Sequence, residues 1–124
     1  MLKLFTRIIL ILSLSVISIT SIASHAANSV KSGTASYYGK KFHLKRTASG
    51  EIFNMYKLTC ASNTHKMGTK LKVTNISNGK STSCRVNDTG GFKKYGRVLD
   101  LSYGSFIKIA DPKVGLIKVK IKKL

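Results

Sequence analysis

Acidic residues are scarce in this chain: four Asp and Glu stand against 22 Lys and Arg in 124 residues, a formal net charge of +18. Cysteine is scarce too, with Cys60 and Cys84 alone, and no C-x-x-C or H-x₃-H spacing accompanies them, which excludes the usual zinc modules. No G-x-S-x-G elbow with His and Asp in order, no phosphate-binding loop and no metal-ligand cluster occur. These absences argue against a serine hydrolase, a nucleotide-binding enzyme or a metalloenzyme, and the sequence leads us to expect no metal and no cofactor. Internal repeats, linkers and low-complexity tracts are lacking after the first 30 residues. No apolar run reaches the roughly 18–20 residues needed to span a bilayer as a helix.

The longest such run, 8–23, has 16 residues, five of them Ser or Thr. It follows Lys3 and Arg7 and precedes Ser24-His25-Ala26. A basic start, a short apolar stretch and small residues at −3 and −1 read as a secretory signal peptide over 1–26, cleaved after Ala26. No cysteine lies near that point to accept a lipid, so no stable membrane anchor is expected. Residues 27–32 read as a short polar leader and 33–124 as one domain, long enough for one core and too short for two. Loss of Lys3 and Arg7 takes the formal charge from +18 to +16. Such a field attracts polyanions. For an exported chain these are envelope polymers such as peptidoglycan carboxylates or anionic phosphates, with no nucleic acid partner expected; a basic surface serving solubility alone is the alternative. Two cysteines in a small exported domain suggest a Cys60–Cys84 disulfide, with two reduced core thiols as the alternative.

Period-two patterns dominate the rest. GTASYYG at 33–39 and YKLTCA at 56–61 are candidate strands. Leu71 and Val73 alternate with lysines, Asn78-Gly79 marks a tight turn, and 81–86 returns as the next strand. Residues 97–101 form another, 103–110 a short helix, and Ile117, Val119 and Ile121 alternate with lysines in the clearest strand, whose charges guard a sheet edge. The aromatics Tyr37, Tyr38, Phe42, Phe53 and Tyr56 gather in the N-terminal third; most are expected in the core, with Tyr38 the best candidate for a sugar-stacking groove.

The four acids are weighed singly. Asp111 precedes Pro112 in a turn and carries no assigned function. Asp100 lies inside an apolar strand and reads as a structural hydrogen-bond anchor. Asp88 sits where a strand runs into a glycine-containing loop, a position suited to a catalytic carboxylate; an Asx-turn aspartate reads equally well from the local sequence. Glu51 follows Ser49-Gly50 in a loop, where a solvated surface role is the simplest reading. His43 and His65 lie in polar loops, with surface or hydrogen-bonding roles. A lytic transglycosylase could work with one such carboxyl, because the 6-hydroxyl of muramic acid itself closes on the anomeric carbon.

Several stretches resemble one family. GTASYYG at 33–39, FH at 42–43 and RTASGE at 46–51 are similar to the RlpA opening, G-x-A-S-W-Y-G, F-H and R-T-A-N-G-E. GTKLKVTN at 68–75, NGK at 78–80, RVND at 85–88 and GRVLDLS at 96–102 resemble its centre and its R-x-x-D-L-S segment. The resemblance implies a mainly β domain, a six-stranded double-psi β-barrel with one or two short helices, shared with expansins and family-45 glycoside hydrolases. It implies peptidoglycan glycan strands as ligand and lytic transglycosylation as activity; the chain is expected to be a monomer. Asp88 falls on the family's catalytic aspartate and Glu51 on its motif glutamate. Tyr38, His43, Ser62, His65 and Asn87 become candidate substrate-binding residues, and Asp100, Cys60 and Cys84 structural ones. Ser62 stands where the family has histidine, and serine carries no proton near neutral pH. Asn54 replaces a usual aspartate, and Thr89-Gly90-Gly91 replaces Arg-Gly-Pro. A non-catalytic, expansin-like wall-binding or loosening module is therefore the alternative, and a basic secreted effector acting on another cell a third reading.

Overall fold

The computed structural model describes residues 30–90 and 96–124. The signal peptide reading, residues 27–29 of the leader and Gly91 lie outside the described residues.

Six strands form: β1 (Lys31–Tyr38), β2 (Thr59–Ala61), β3 (Lys70–Asn75), β4 (Ser81–Asp88), β5 (Arg97–Ser102) and β6 (Ile117–Lys123). They close into a barrel in the order β1-β5-β2-β4-β3-β6. Two pairs, β1 with β5 and β2 with β4, run parallel, and the other four are antiparallel. Alternation explains the wall. In β6, Ile117, Val119 and Ile121 are buried while Lys118, Lys120 and Lys122 face water. β6 pairs with both β1 and β3, so its lysines line a closed wall and guard no edge. Leu71, Val73, Val86, Leu99 and Leu101 fill the interior, and Phe106 and Ile109 cap it.

The turn at 76–80 forms as its Asn-Gly pair dictates, with Gly79 at φ 74°. Asn75 and Asn78 each donate a side-chain N–H to the Ile109 carbonyl at 2.8 Å, tying that turn to the segment after the helix. Cys60 on β2 and Cys84 on β4 form the expected disulfide, with Cα atoms 5.6 Å apart and both residues buried. Two elements are shorter than their sequence pattern suggests. Only Thr59–Ala61 of 56–61 is strand, because Asn54 bends the chain first: its Oδ1 accepts from Tyr56 N at 3.0 Å and its carbonyl from Lys57 N at 3.1 Å. The helix α1 spans Tyr103–Phe106, capped by the Ser102 hydroxyl, which accepts from Ser105 N. Turn bonds carry the chain on to Ala110, where Asp111-Pro112 redirects it.

Most aromatics of the N-terminal third were expected in the core, and that holds for two of them. Tyr37 packs on Phe106 with ring centroids 4.6 Å apart, and Phe53 is buried. Phe42 and Tyr56 are exposed, because both sit in the loop that crosses the outside of the wall between β1 and β2.

Candidate active site on the outer barrel wall

The site grows from an irregularity in β4. Inward residues of that strand are Thr82, Cys84 and Val86, so strict alternation would turn Asp88 inward as well. The pairing with β2 slips instead: Cys60 partners Val86, and the next residue, Ala61, partners Asp88. Asn87 is left as the extra residue of a bulge, which re-aims the side chain that follows. Its backbone carbonyl takes an amide from outside the sheet, Ser49 N at 3.2 Å. Asp88 emerges on the outer face, where its Oδ1 accepts from Ala48 N at 3.0 Å and Thr89 N at 2.8 Å. Among the described residues nothing hydrogen-bonds its Oδ2.

A loop at 46–52 lies over this face. It is closed by the bridge between Arg46 and Ile52 and by Thr47 N donating to the Glu51 carbonyl at 2.8 Å. Glu51 fastens it to β4: its Oε1 accepts from the Arg85 guanidinium at 2.7 Å and from Asn87 Nδ2 at 3.0 Å. Those two bonds, Arg85 first, hold the Glu51 carboxyl below the ordinary glutamate range. Glu51 is thus a fixed anion with no proton to give at neutral pH, which suits positioning and electrostatics better than acid catalysis.

Tyr38, at the end of β1, occupies the middle of the wall. Its ring stacks on buried Phe53 at 4.5 Å and meets the edge of Phe42 at 6.1 Å. Burial, then the nearby charge of Asp88, push its hydroxyl well above the ordinary tyrosine range, and Asp100 and Glu51 add to the shift. Three of the chain's four acids therefore converge on one hydroxyl that stays protonated and can only be neutral here. Among the described residues the Oδ1 of Asn87 is buried without a hydrogen bond, and the buried hydroxyls of Tyr38 and Thr59 act on each other and meet no other partner. Such atoms are costly unless a ligand or water meets them. Asp100 lies on the same wall, accepts from the Ser36 hydroxyl and faces Arg97 Nε at 3.7 Å.

The remaining candidates flank this centre. Ser62 is buried, and its Oγ accepts from Thr64 N at 3.2 Å and His65 N at 3.1 Å, so it organises a turn. His65 swings back over it, with Nδ1 3.2 Å from Ser62 Oγ. Burial, with Lys31 and Lys123, holds that imidazole below the ordinary histidine range. His43 serves the outer loop: its Nδ1 accepts from Met55 N at 3.1 Å and its ring packs on Tyr56, which stiffens that loop. Sequence reasoning missed Asn63. Its side chain clamps the Gly90 backbone, donating to the carbonyl at 2.7 Å and accepting from the amide at 3.1 Å. It also missed the Ala48 amide on Asp88, which no residue type could signal, and the Arg85 partner of Glu51, whose outward place in a strand could have signalled it. Among the described residues no group of three or more His, Cys, Asp and Glu could hold a metal ion.

A family profile described as lytic transglycolase matches residues 30–121. The endolytic peptidoglycan transglycosylase RlpA of Vibrio cholerae is 49% identical over 92 residues, covering 74% of this chain and 35% of that protein. RlpA of Pseudomonas aeruginosa is 43% identical over 90 residues, covering 73% and 26%. A probable endolytic peptidoglycan transglycosylase RlpA of Synechocystis is 53% identical over 76 residues, covering 61% and 23%. The chain thus spans about a quarter to a third of the length of these relatives. Among solved structures, a Clavibacter michiganensis expansin in complex with cellohexaose is similar with a TM-score of 0.61 at 20% identity, over 77% of this chain and 50% of that one. A Streptomyces papain inhibitor is similar with a TM-score of 0.62 at 20% identity, over 77% and 94%. At that identity the two structures speak for the barrel alone.

Proposed function

The chain belongs to the lytic transglycolase family, and on that premise we propose that it cuts the glycan strands of peptidoglycan with Asp88 as acid and then base. The observation that carries this reading is the bulge that turns Asp88 out of the core, fixes its Oδ1 with two amides and leaves Oδ2 facing the outer wall. In the reaction, the protonated Asp88 carboxyl gives its proton to the glycosidic oxygen as the C1–O bond breaks. The carboxylate then takes the proton of the muramic acid's own 6-hydroxyl as O6 bonds to C1. A 1,6-anhydro ring forms, no water is consumed, and Asp88 ends protonated again. Glu51 holds the loop over the wall and supplies a fixed negative charge toward a cationic transition state. The Tyr38 ring, stacked on Phe53, braces the wall beside Asp88, buried Asn87 and Ser62 support the groove from beneath, and His65 and His43 border it.

The protein is exported, with 1–26 as the cleaved signal peptide, and acts as a monomer in the periplasm or at the envelope in cell wall organisation. Its charge draws it to anionic wall polymers and no nucleic acid partner is involved. One observation favours the non-cutting, expansin-like reading: Ser62 stands where the resembling family has histidine, and its oxygen is committed to turn amides.

The deciding measurement is release of soluble anhydromuropeptides from purified sacculi. The parent protein should release them, and Asp88→Asn, which keeps shape and removes the titrating proton, should lower the rate by about 10²-fold or more while still sedimenting with sacculi. Parental rates from Asp88→Asn refute the assignment. Sedimentation of the parent protein with no product establishes the non-cutting reading.

A further inference from the structure

A cavity of about 250 Å³ opens on the same end of the barrel as Asp88. It lies between the start of β1, the turn after β2, the start of β5 and the end of β6, with largely apolar walls. Val98 and Ile121 give it a hydrocarbon floor. Val98 can lie there because residue 33 is glycine: a Cβ on Gly33 would stand 2.5 Å from Val98 Cγ2. Lys31, Arg97 and His65 border the floor, and Lys123 stands on the neighbouring strand two residues past Ile121, the β6 partner of Lys31; the charges of Lys31 and Lys123 both act on the His65 ring. Asp100 answers Arg97 at 3.7 Å, whereas neither Lys31 nor Lys123 meets a carboxylate among the described residues. The cavity reaches the cleavage site through Asn63, which lines it and clamps Gly90, two residues past Asp88.

We propose that this pocket seats a carboxylate borne on a short aliphatic arm of the glycan substrate and so sets which glycosidic bond lies over Asp88. An apolar floor takes the arm's methyl group, and the cations at its rim take the charge, with low-dielectric walls strengthening the attraction. Muramyl sugars carry such an arm at every second residue of the glycan, a lactyl ether with one methyl and one carboxyl carbon; attached stem peptides carry further carboxylates on glutamate-type side arms and on terminal alanine. The proposal rests on the glycan-cutting reading for its substrate, and its test does not depend on cutting.

The test is methyl NMR titration of the purified protein. N-acetylmuramic acid, with a free lactyl carboxylate, and muramyl dipeptide, whose lactyl group is amidated and whose carboxylate is on the peptide, are the two charged probes; N-acetylglucosamine is the neutral one. At least one charged probe should shift the Val98 and Ile121 methyl resonances, and which one does so identifies the carboxylate's source. N-acetylglucosamine should leave them in place. Lys31→Gln with Lys123→Gln should weaken the charged probe about five- to tenfold. Lys72→Gln with Lys118→Gln, the same charge change elsewhere on the barrel, should stay within about twofold. Equal shifts from N-acetylglucosamine, equal weakening by both double variants, or displacement by inorganic phosphate at matched ionic strength each overturn the proposal. A protein that shows the shifts and cuts no sacculi keeps the pocket and loses the cutting reading; one that cuts sacculi without the shifts loses the pocket.

Discussion

Glu51→Gln isolates the charge of the strap that holds the 46–52 loop to β4. Glutamine keeps the length and an Oε1 able to accept from Arg85 and Asn87, so the two bonds of 2.7 and 3.0 Å survive as neutral ones. What is lost is the ion pair with Arg85, whose partners are 37% and 38% exposed. Solvent screens a pair at that exposure, so its contribution is about 0.5–1 kcal/mol, or roughly 3–6 °C in Tm for a domain this size. The pH dependence has a definite sign. The folded-state carboxyl is held below its ordinary range, so folding favours the ionised form. The stabilisation is complete above the unfolded carboxylate range, from about pH 5.5 upward, and fades as pH falls through the lowered folded value. Calorimetric Tm values of the parent and Glu51→Gln should therefore differ at pH 7 and draw together as the pH falls below the ordinary carboxylate range. A difference that persists or grows on acidification refutes the argument, because the lost interaction would then not be the carboxylate's charge.

Replacing Cys60 and Cys84 with alanine frees a loop whose ends are 24 residues apart. The chain-entropy estimate is a loss of about 3.5 kcal/mol, read as a fall of the urea midpoint with a steeper slope, since the freed denatured chain exposes more surface; a loss under about 1 kcal/mol would mean that the unfolded chain is already constrained there. Leu44 holds φ 66° while 67% exposed, a left-handed conformation that a leucine side chain opposes. Leu44→Asn should therefore raise stability by about 0.5–1 kcal/mol in the same denaturation assay. Asn63→Ala removes both bonds to Gly90 and should lower kcat for sacculus cleavage several-fold with KM little changed; a rise in KM alone would place Asn63 in binding and not in positioning.

The period of two in the sequence was enough to locate the strands. A half-buried wall demands alternation, and LKV at 71–73 and IKVKI at 117–121 carry it without ambiguity. Asn78-Gly79 set its own turn, because positive φ is a local property. The family motifs pointed to Asp88 and Glu51, and two cysteines in a small chain read as exported suggested the disulfide that forms, with reduced thiols as the alternative. Tertiary structure decided what those residues can do. Alternation by itself would have sent Asp88 into the core beside Val86 and Cys84; the slip against β2, a relation between strands more than 20 residues apart, turned it out. The state of Glu51 was equally invisible along the chain, since its partners Arg85 and Asn87 lie 34 and 36 residues away. The gathering of Asp88, Asp100 and Glu51 around Tyr38 also follows from closure of the barrel. Local sequence sets backbone preference and the side of the wall, whereas charge, register and proton occupancy depend on which distant segments the closed sheet brings within a few ångströms.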